Sequence, residues 1–338
     1  MTRAAGRSAA IGTAAFAVTG CAAAPSVFDT HGTIANRVAP LGWYLIIMSL
    51  VVMGVIIVLV LMALFRGRPP RDTETIELAE PRSGLGWILW GGIIIPAIVL
   101  AFSFVFSLVT LSATARPPVR PGLTVAITGH RWWWEVKYLD PDGKPVIITA
   151  NEIHVPVGRP VRVELTSDNV IHSFWVPELA GKTDVIPGQQ NVAWLEATTP
   201  GRFHGQCAEY CGLQHAHMQL VVEADPPAEF DHWMAGQRQP AAEPTTSLDS
   251  LGQRTFVGQA CSLCHTIQGT AAHGRVGPDL THLASRQTIA AGTLPNTRGN
   301  LAGWISNTQT IKPGNLMPTM YLHPAELQSI VAYLETLK

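Results

Sequence analysis

Hydrophobic and polar positions divide the 338-residue chain into stretches of different character. Leu41–Phe65, 25 residues, and Gly84–Leu111, 28 residues, carry no charge. Each exceeds the ~20 apolar residues that cross ~30 Å of hydrocarbon. Pro96, inside the second run, is tolerated in a membrane helix. A shorter apolar run, Ala9–Val18, follows Arg3 and Arg7 and is too brief to span. The pattern predicts a signal peptide over 1–20 and a two-helix hairpin within 21–112, with spans at about 41–65 and 84–111.

From residue 123 the period shortens. Leu123–Thr128, Trp132–Tyr138, Val146–Ala150, Val161–Ser167 and Val192–Glu196 alternate and are rich in β-branched or aromatic residues, so they read as strands. Asp140-Pro141-Asp142-Gly143 and Pro187-Gly188 mark turns. Many short strands with such turns predict an all-β sandwich or barrel over 116–225. Residues 226–247, with Pro226-Pro227 and Pro240 to Pro244, read as a semi-rigid linker. A helix with Ser247 as N-cap and an amphipathic helix over Pro324–Leu337 bracket a last unit, 248–338.

Composition narrows the class. Hydrophobic residues make up 47% and the net charge is −1, which excludes general disorder. A pI near 6.9 gives no case for a nucleic-acid partner. Arg66, Arg68, Arg71 and Arg82 lie between the spans and only Arg37 just before them, so the positive-inside rule puts the hairpin loop in the cytoplasm and all that follows the second span outside. Val18-Thr19-Gly20-Cys21 resembles the bacterial lipobox, which implies a lipidated Cys21. Lipid and spans together would give firm anchoring in membrane lipids.

The other four cysteines carry candidate redox chemistry. Cys207, Cys211, His215 and Met218 lie within twelve residues and form a soft donor set that favours copper over magnesium or calcium. A mononuclear blue-copper loop needs one Cys; the second lets two thiolates bridge two copper ions. His172 follows a strand and is a suitable upstream imidazole. A Cys207–Cys211 disulfide and a zinc site remain chemically open, while His204 and His217 read as surface or flanking residues. Cys261-Ser-Leu-Cys264-His265 is the C-x-x-C-H pattern of c-type haem attachment, with His265 as axial ligand; a redox-active thiol pair is the alternative. His273, His282 and His323 read as surface residues.

These motifs carry a resemblance. His172-Ser-Phe-Trp-Val-Pro177, Lys182-Thr-Asp184-Val-Ile-Pro187-Gly188 and Cys207 through Met218 resemble cytochrome c oxidase subunit II, and the likeness covers residues 40–223. It implies a cupredoxin fold and a binuclear CuA centre. Cys207 and Cys211 would bridge, His172 and His215 would be terminal ligands, Met218 a weak axial ligand, and the Glu209 main-chain carbonyl the last. The Glu209 carboxylate would reach a magnesium ion at the boundary with subunit I. In the family a run like Trp132-Trp133-Trp134 lies over the copper and its first residue, here Trp132, receives electrons. Residues 248–338, with Gly277-Pro278 and Lys312 through Pro318, resemble a class I cytochrome c. That implies an all-α domain with Met317 as second haem ligand and Met320 as its competitor.

The order of parts resembles subunit II of bacterial oxidases that carry a fused cytochrome c. The implied protein is a multi-domain membrane protein of the bacterial inner membrane, passing electrons from an external donor (a cytochrome c or a quinol-oxidising complex) through haem c and CuA to subunit I, with subunit III as a further partner. Oxygen reduction belongs to the partner. A CuA-containing nitric oxide reductase subunit and a tethered electron carrier are the competing readings. Residues 116–230 carry 9 basic and 13 acidic side chains and 248–338 carry 6 and 4, so opposite net signs favour docking of the two domains.

Overall fold

The computed structural model describes residues 25–66 and 82–338. The expected signal peptide, Cys21 and most of the arginine-bearing hairpin loop lie outside the described residues.

Helix α1 spans Thr33–Phe65. Its 33 residues would rise ~50 Å, beyond the bilayer core. Apolar side chains such as Leu50 and Leu64 are exposed around its circumference, as expected where lipid replaces water as solvent. The second span is not one regular helix. Helix α2 (Arg82–Leu89) passes through a π-helical turn at Trp90–Ile94 into α3 (Ile95–Thr114). The Pro96 ring lacks an N–H and crowds the preceding turn, which accounts for the widened turn. Tyr44 in α1 and Ser103 in α3 share a hydrogen bond of 2.9 Å.

Ten strands build the β-domain: β1 (Leu123–His130), β2 (Trp133–Leu139), β3 (Pro145–Ala150), β4 (Glu152–Pro156), β5 (Val161–Ser167), β6 (His172–Trp175), β7 (Thr183–Val185), β8 (Asn191–Leu195), β9 (Gly201–Cys207) and β10 (Gln219–Asp225). They form two five-stranded sheets, ordered β3-β2-β1-β5-β8 and β4-β10-β9-β6-β7. Val125, Ile127, Trp134, Leu165, Val185 and Leu220 are among the buried side chains of their shared core. The sandwich is tied to the hairpin at both ends: His31 N–H donates to Glu178 O at 2.8 Å, and Trp194 Nε1 donates to Thr114 O at 2.9 Å.

The stretch expected as linker contains a helix, α4 (Pro227–Gln237). Pro227 opens it, a position where its missing N–H costs nothing. Phe230 is buried, and Trp233 stacks on His154 with ring centres 4.2 Å apart. Beyond it, α5 (Ser247–Gly258) is capped by Thr246 rather than Ser247: Thr246 Oγ1 accepts from Asp249 N and Asp249 Oδ2 from Thr246 N. Then come α6 (Cys261–Cys264), the short strands β11 (Thr288–Ile289) and β12 (Leu294–Pro295), α7 (Arg298–Ser306), α8 (Thr308–Ile311) and α9 (Pro324–Leu334). Helices α5 and α9 cross so closely that a Cβ on Gly252 would lie 1.9 Å from Ser329 O.

Candidate functional site

The first site sits at one end of the sandwich, where β9 ends in Cys207 and β10 resumes at Gln219. Cys207 N–H donates to Met218 O at 2.9 Å and closes the intervening loop at its base. Inside, the sulfurs of Cys207 and Cys211 are 3.8 Å apart. Cys207 Sγ is 3.8 Å from His172 Nδ1 and 3.1 Å from Glu209 O. Cys211 Sγ is 3.6 Å from His215 Nδ1 and 3.8 Å from Met218 Sδ. All six expected donors therefore meet in one cluster. His172, Cys207 and Cys211 are buried and hold their donor atoms within 4.8 Å of one another.

Flanking residues orient the set. His172 Nε2 bonds Asn169 Oδ1 at 3.0 Å, leaving Nδ1 toward the sulfur. Gly129 makes room, since a Cβ there would lie 2.8 Å from the His172 ring. The two sulfurs hold one proton between them. A hydrogen bond from Cys211 pulls Cys207 down to about 3 against the opposing effect of burial, and the same bond and burial push Cys211 up. A bound cation would displace that proton. Soft donors, no disulfide and a buried pocket are compatible with copper. Glu209 differs in that its half-exposed carboxylate pairs with Lys182 at 3.4 Å. His204 and His217 are exposed, as expected.

The second site is a cleft in the C-terminal domain, lined by Cys261, Cys264 and His265 from one side and Met317 and Met320 from another, within apolar walls. His265 Nδ1 donates to Pro278 O at 2.7 Å, which leaves Nε2 as the free ligand atom. Burial lowers its affinity for a proton, so the ring stays neutral. Gly277 backs the ring: a Cβ there would lie 2.6 Å from His265 Cε1. Met317 is pinned through its main chain, with O accepting from Thr308 Oγ1 at 2.6 Å and N donating to Asn315 Oδ1 at 2.8 Å. Buried Arg286 lines the same cleft and its Nε has no partner among the described residues. An orphaned guanidinium edge fits a porphyrin that carries carboxylates. His273 and His323 are exposed, but His282 is buried. Its ring nitrogens lie 2.9 Å from Lys338 O and 3.1 Å from Gln239 O, so it ties the chain terminus to the segment before α5.

Trp132 touches both sites. It lines the cleft, is 7% exposed, and donates its Nε1–H to Cys211 O at 3.0 Å. The domains also meet at Glu152, whose carboxylate accepts from Gln287 N at 3.2 Å, and at Arg202, which bonds Gln287 Oε1. These contacts between the domains are hydrogen bonds, and none of the ion pairs among the described residues joins the two domains. Motif reading passes over Asn169 and Arg286, and it takes in Lys312 only as the start of the Lys312–Pro318 stretch, without a role. Arg286 and Lys312 bond main-chain carbonyls, which leave no spacing pattern, and Asn169 acts through the His172 ring three residues on.

A family model described as cytochrome c oxidase subunit II, periplasmic domain, matches residues 141–225, and the cytochrome c model matches 250–338. The cytochrome c oxidase subunit 2 of Alkalihalophilus pseudofirmus is 34% identical over 304 residues, covering 86% of this chain and 86% of that protein. The Bacillus subtilis protein of the same name is 30% identical over 227 residues, covering 64% and 62%. Among solved structures, the periplasmic domain of subunit II of cytochrome oxidase of Bradyrhizobium japonicum is similar at 32% identity, covering 36% of this chain and 96% of that one, with TM-score 0.33. An apolar helical pair carrying a cupredoxin-like sandwich and a cytochrome c domain defines an electron-transfer subunit of an oxidase. The chain belongs to the cytochrome c oxidase subunit II family, and its enzyme is a cytochrome c oxidase.

Proposed function

We propose that this subunit relays single electrons from an external donor to subunit I. Cys261 and Cys264 would hold a c-type haem covalently, with His265 and Met317 as ligands of its iron, and this haem would accept the electron from the donor. His172, Cys207, the Glu209 carbonyl, Cys211, His215 and Met218 would hold a two-copper centre that passes it on to subunit I. When bound, the haem and the copper pair supply one-electron carriers; the side chains hold them without reacting. The observation that carries this reading is Trp132, one side chain that lines the haem cleft and bonds the main chain of Cys211.

The residues do three things in this scheme. Asn169 Oδ1 and Pro278 O bond His172 Nε2 and His265 Nδ1, which leaves His172 Nδ1 and His265 Nε2 free as ligand atoms. Burial keeps water from the sulfurs. A thioether at Met317 raises the haem potential relative to a second imidazole. The half-exposed Glu209 carboxylate, which pairs with Lys182, would supply an oxygen ligand to a magnesium ion at the boundary with subunit I. We place 116–225 and 248–338 on the periplasmic side, with 21–112 as anchor, Cys21 lipidated, and subunit III in the complex.

Metal analysis and electron paramagnetic resonance of the full chain test the assignment. Two coppers, one covalent haem and a mixed-valence copper signal that vanishes in Cys207→Ser are expected. One copper with an ordinary blue-copper spectrum would contradict it.

A further inference from the structure

Lys312 is 3% exposed, and its Nζ donates to three carbonyls: Trp132 O at 2.7 Å, His217 O at 2.7 Å and Ala290 O at 3.0 Å. An ammonium has three N–H donors, so its capacity is filled. Two of the acceptors belong to the β-sandwich and the third to the C-terminal domain. Both sandwich acceptors adjoin the copper donors, since Trp132 bonds Cys211 O and His217 precedes Met218. On the other side, Met317 lies five residues after Lys312.

Neighbouring contacts repeat the pattern. Gln214 Nε2 donates to Pro313 O at 2.8 Å, and Gln219 N donates to Ala291 O at 3.1 Å. Gly292, at φ +79°, would place a Cβ 2.7 Å from Gln219 Cβ, so the close approach of this turn requires glycine. Loops bearing candidate ligands of each centre therefore meet around one buried amine.

We infer that Lys312 is the positioning residue for electron transfer between the two centres: its amine clamps the Met317 loop onto the loop of Cys211 and Met218 and so sets their separation. This rests on the relay reading above. In the step concerned one electron leaves the reduced iron and enters the oxidised copper pair. The external donor replaces it, and no bond forms or breaks. Removing the amine leaves three carbonyls without their partner in a buried interface, which favours its opening.

The test uses the full chain loaded with haem and copper, reduced by a photochemically generated one-electron donor, with haem and copper absorbance followed together. In Lys312→Met the donor reduces the haem at the wild-type rate, and the haem-to-copper rate falls about 10- to 100-fold, the scale on which small misplacements act. The Met–iron absorption band and the mixed-valence copper signal stay. Lys312→Arg, which keeps a cation and its donors, retains more of the rate than Lys312→Met. A wild-type transfer rate in Lys312→Met with both spectra intact overturns the inference. Should Lys312→Met lose either spectrum, Lys312→Gln carries the comparison: a slowed transfer supports the clamp and a wild-type rate overturns it. If copper in the wild-type chain is reduced without prior reduction of the haem, the relay reading itself fails, and the clamp with it.

Discussion

The indole N–H of Trp132 donates to the main-chain carbonyl of Cys211 at 3.0 Å, while the Trp132 carbonyl accepts from Lys312 Nζ at 2.7 Å. One residue thus joins the backbone of a sulfur-bearing residue of the β-sandwich to the C-terminal cytochrome c domain. The indole is also enclosed: a Cβ on Gly212 would lie 3.2 Å from Trp132 Cζ2, and one on Gly314 would lie 3.7 Å from Cη2.

Trp132→Phe removes the N–H and leaves the Cys211 carbonyl without its partner. The expected cost is about 1–3 kcal/mol of stability, read by chemical denaturation, together with slower haem-to-copper transfer. Copper content and the mixed-valence signal should remain, because none of the six donors is altered. An unchanged transfer rate would show that the indole does not carry the coupling.

Met317→Leu should abolish the low-spin, Met-ligated haem spectrum while covalent attachment through Cys261 and Cys264 persists. Met320→Leu should leave that spectrum in place. The main-chain bonds that hold Met317 against Thr308 and Asn315 are the structural reason for the difference. Optical spectra of the two variants decide it, and a reversed outcome would move the ligand to Met320.

The second contact between the domains should make stability pH-dependent. Burial disfavours the charged form of His154, but hydrogen bonds to Asp225 and Glu152 outweigh it and raise its pKa above 6.5. Burial likewise opposes ionisation of Glu152, and its bonds with His154 and Gln287 N more than offset this, lowering its pKa below 4.5. The imidazolium contribution is therefore full below pH 6.5 and is lost as pH rises through the folded value. The carboxylate contribution is present above pH 4.5 and is lost as pH falls through its own. Melting temperatures should be highest between the two and decline on the alkaline side. His154→Gln should flatten that alkaline decline, and an unaltered slope would remove His154 from the account.

The candidate ligands were legible because chemistry dictates residue type: soft metals need sulfur and imidazole, and covalent haem needs two thiols and a histidine. The membrane hairpin was legible for a similar reason, since lipid demands an unbroken apolar run. Strands β4, β9 and β10 were harder to see. Glu152, Arg202 and Glu223 place charges in them, and these charges face one another in ion pairs that alternation does not reveal. Helix α4 was hidden by its prolines, although Pro227 begins the helix rather than breaking it. Opposite net charges pointed to docking of the two domains, but the residues that make the contact were not legible. Lys312 bonds three main-chain carbonyls, and any residue type offers a carbonyl.

The order in which the two centres accept an electron tests the central claim most directly. In the intact chain, single-turnover reduction by an external one-electron donor should reduce the haem first, and copper should follow as the haem is reoxidised. A Cys261→Ser, Cys264→Ser chain that still carries copper should then take up electrons from the same donor far more slowly at copper. Copper reduction in that haem-free chain as fast as in the intact one would contradict the relay.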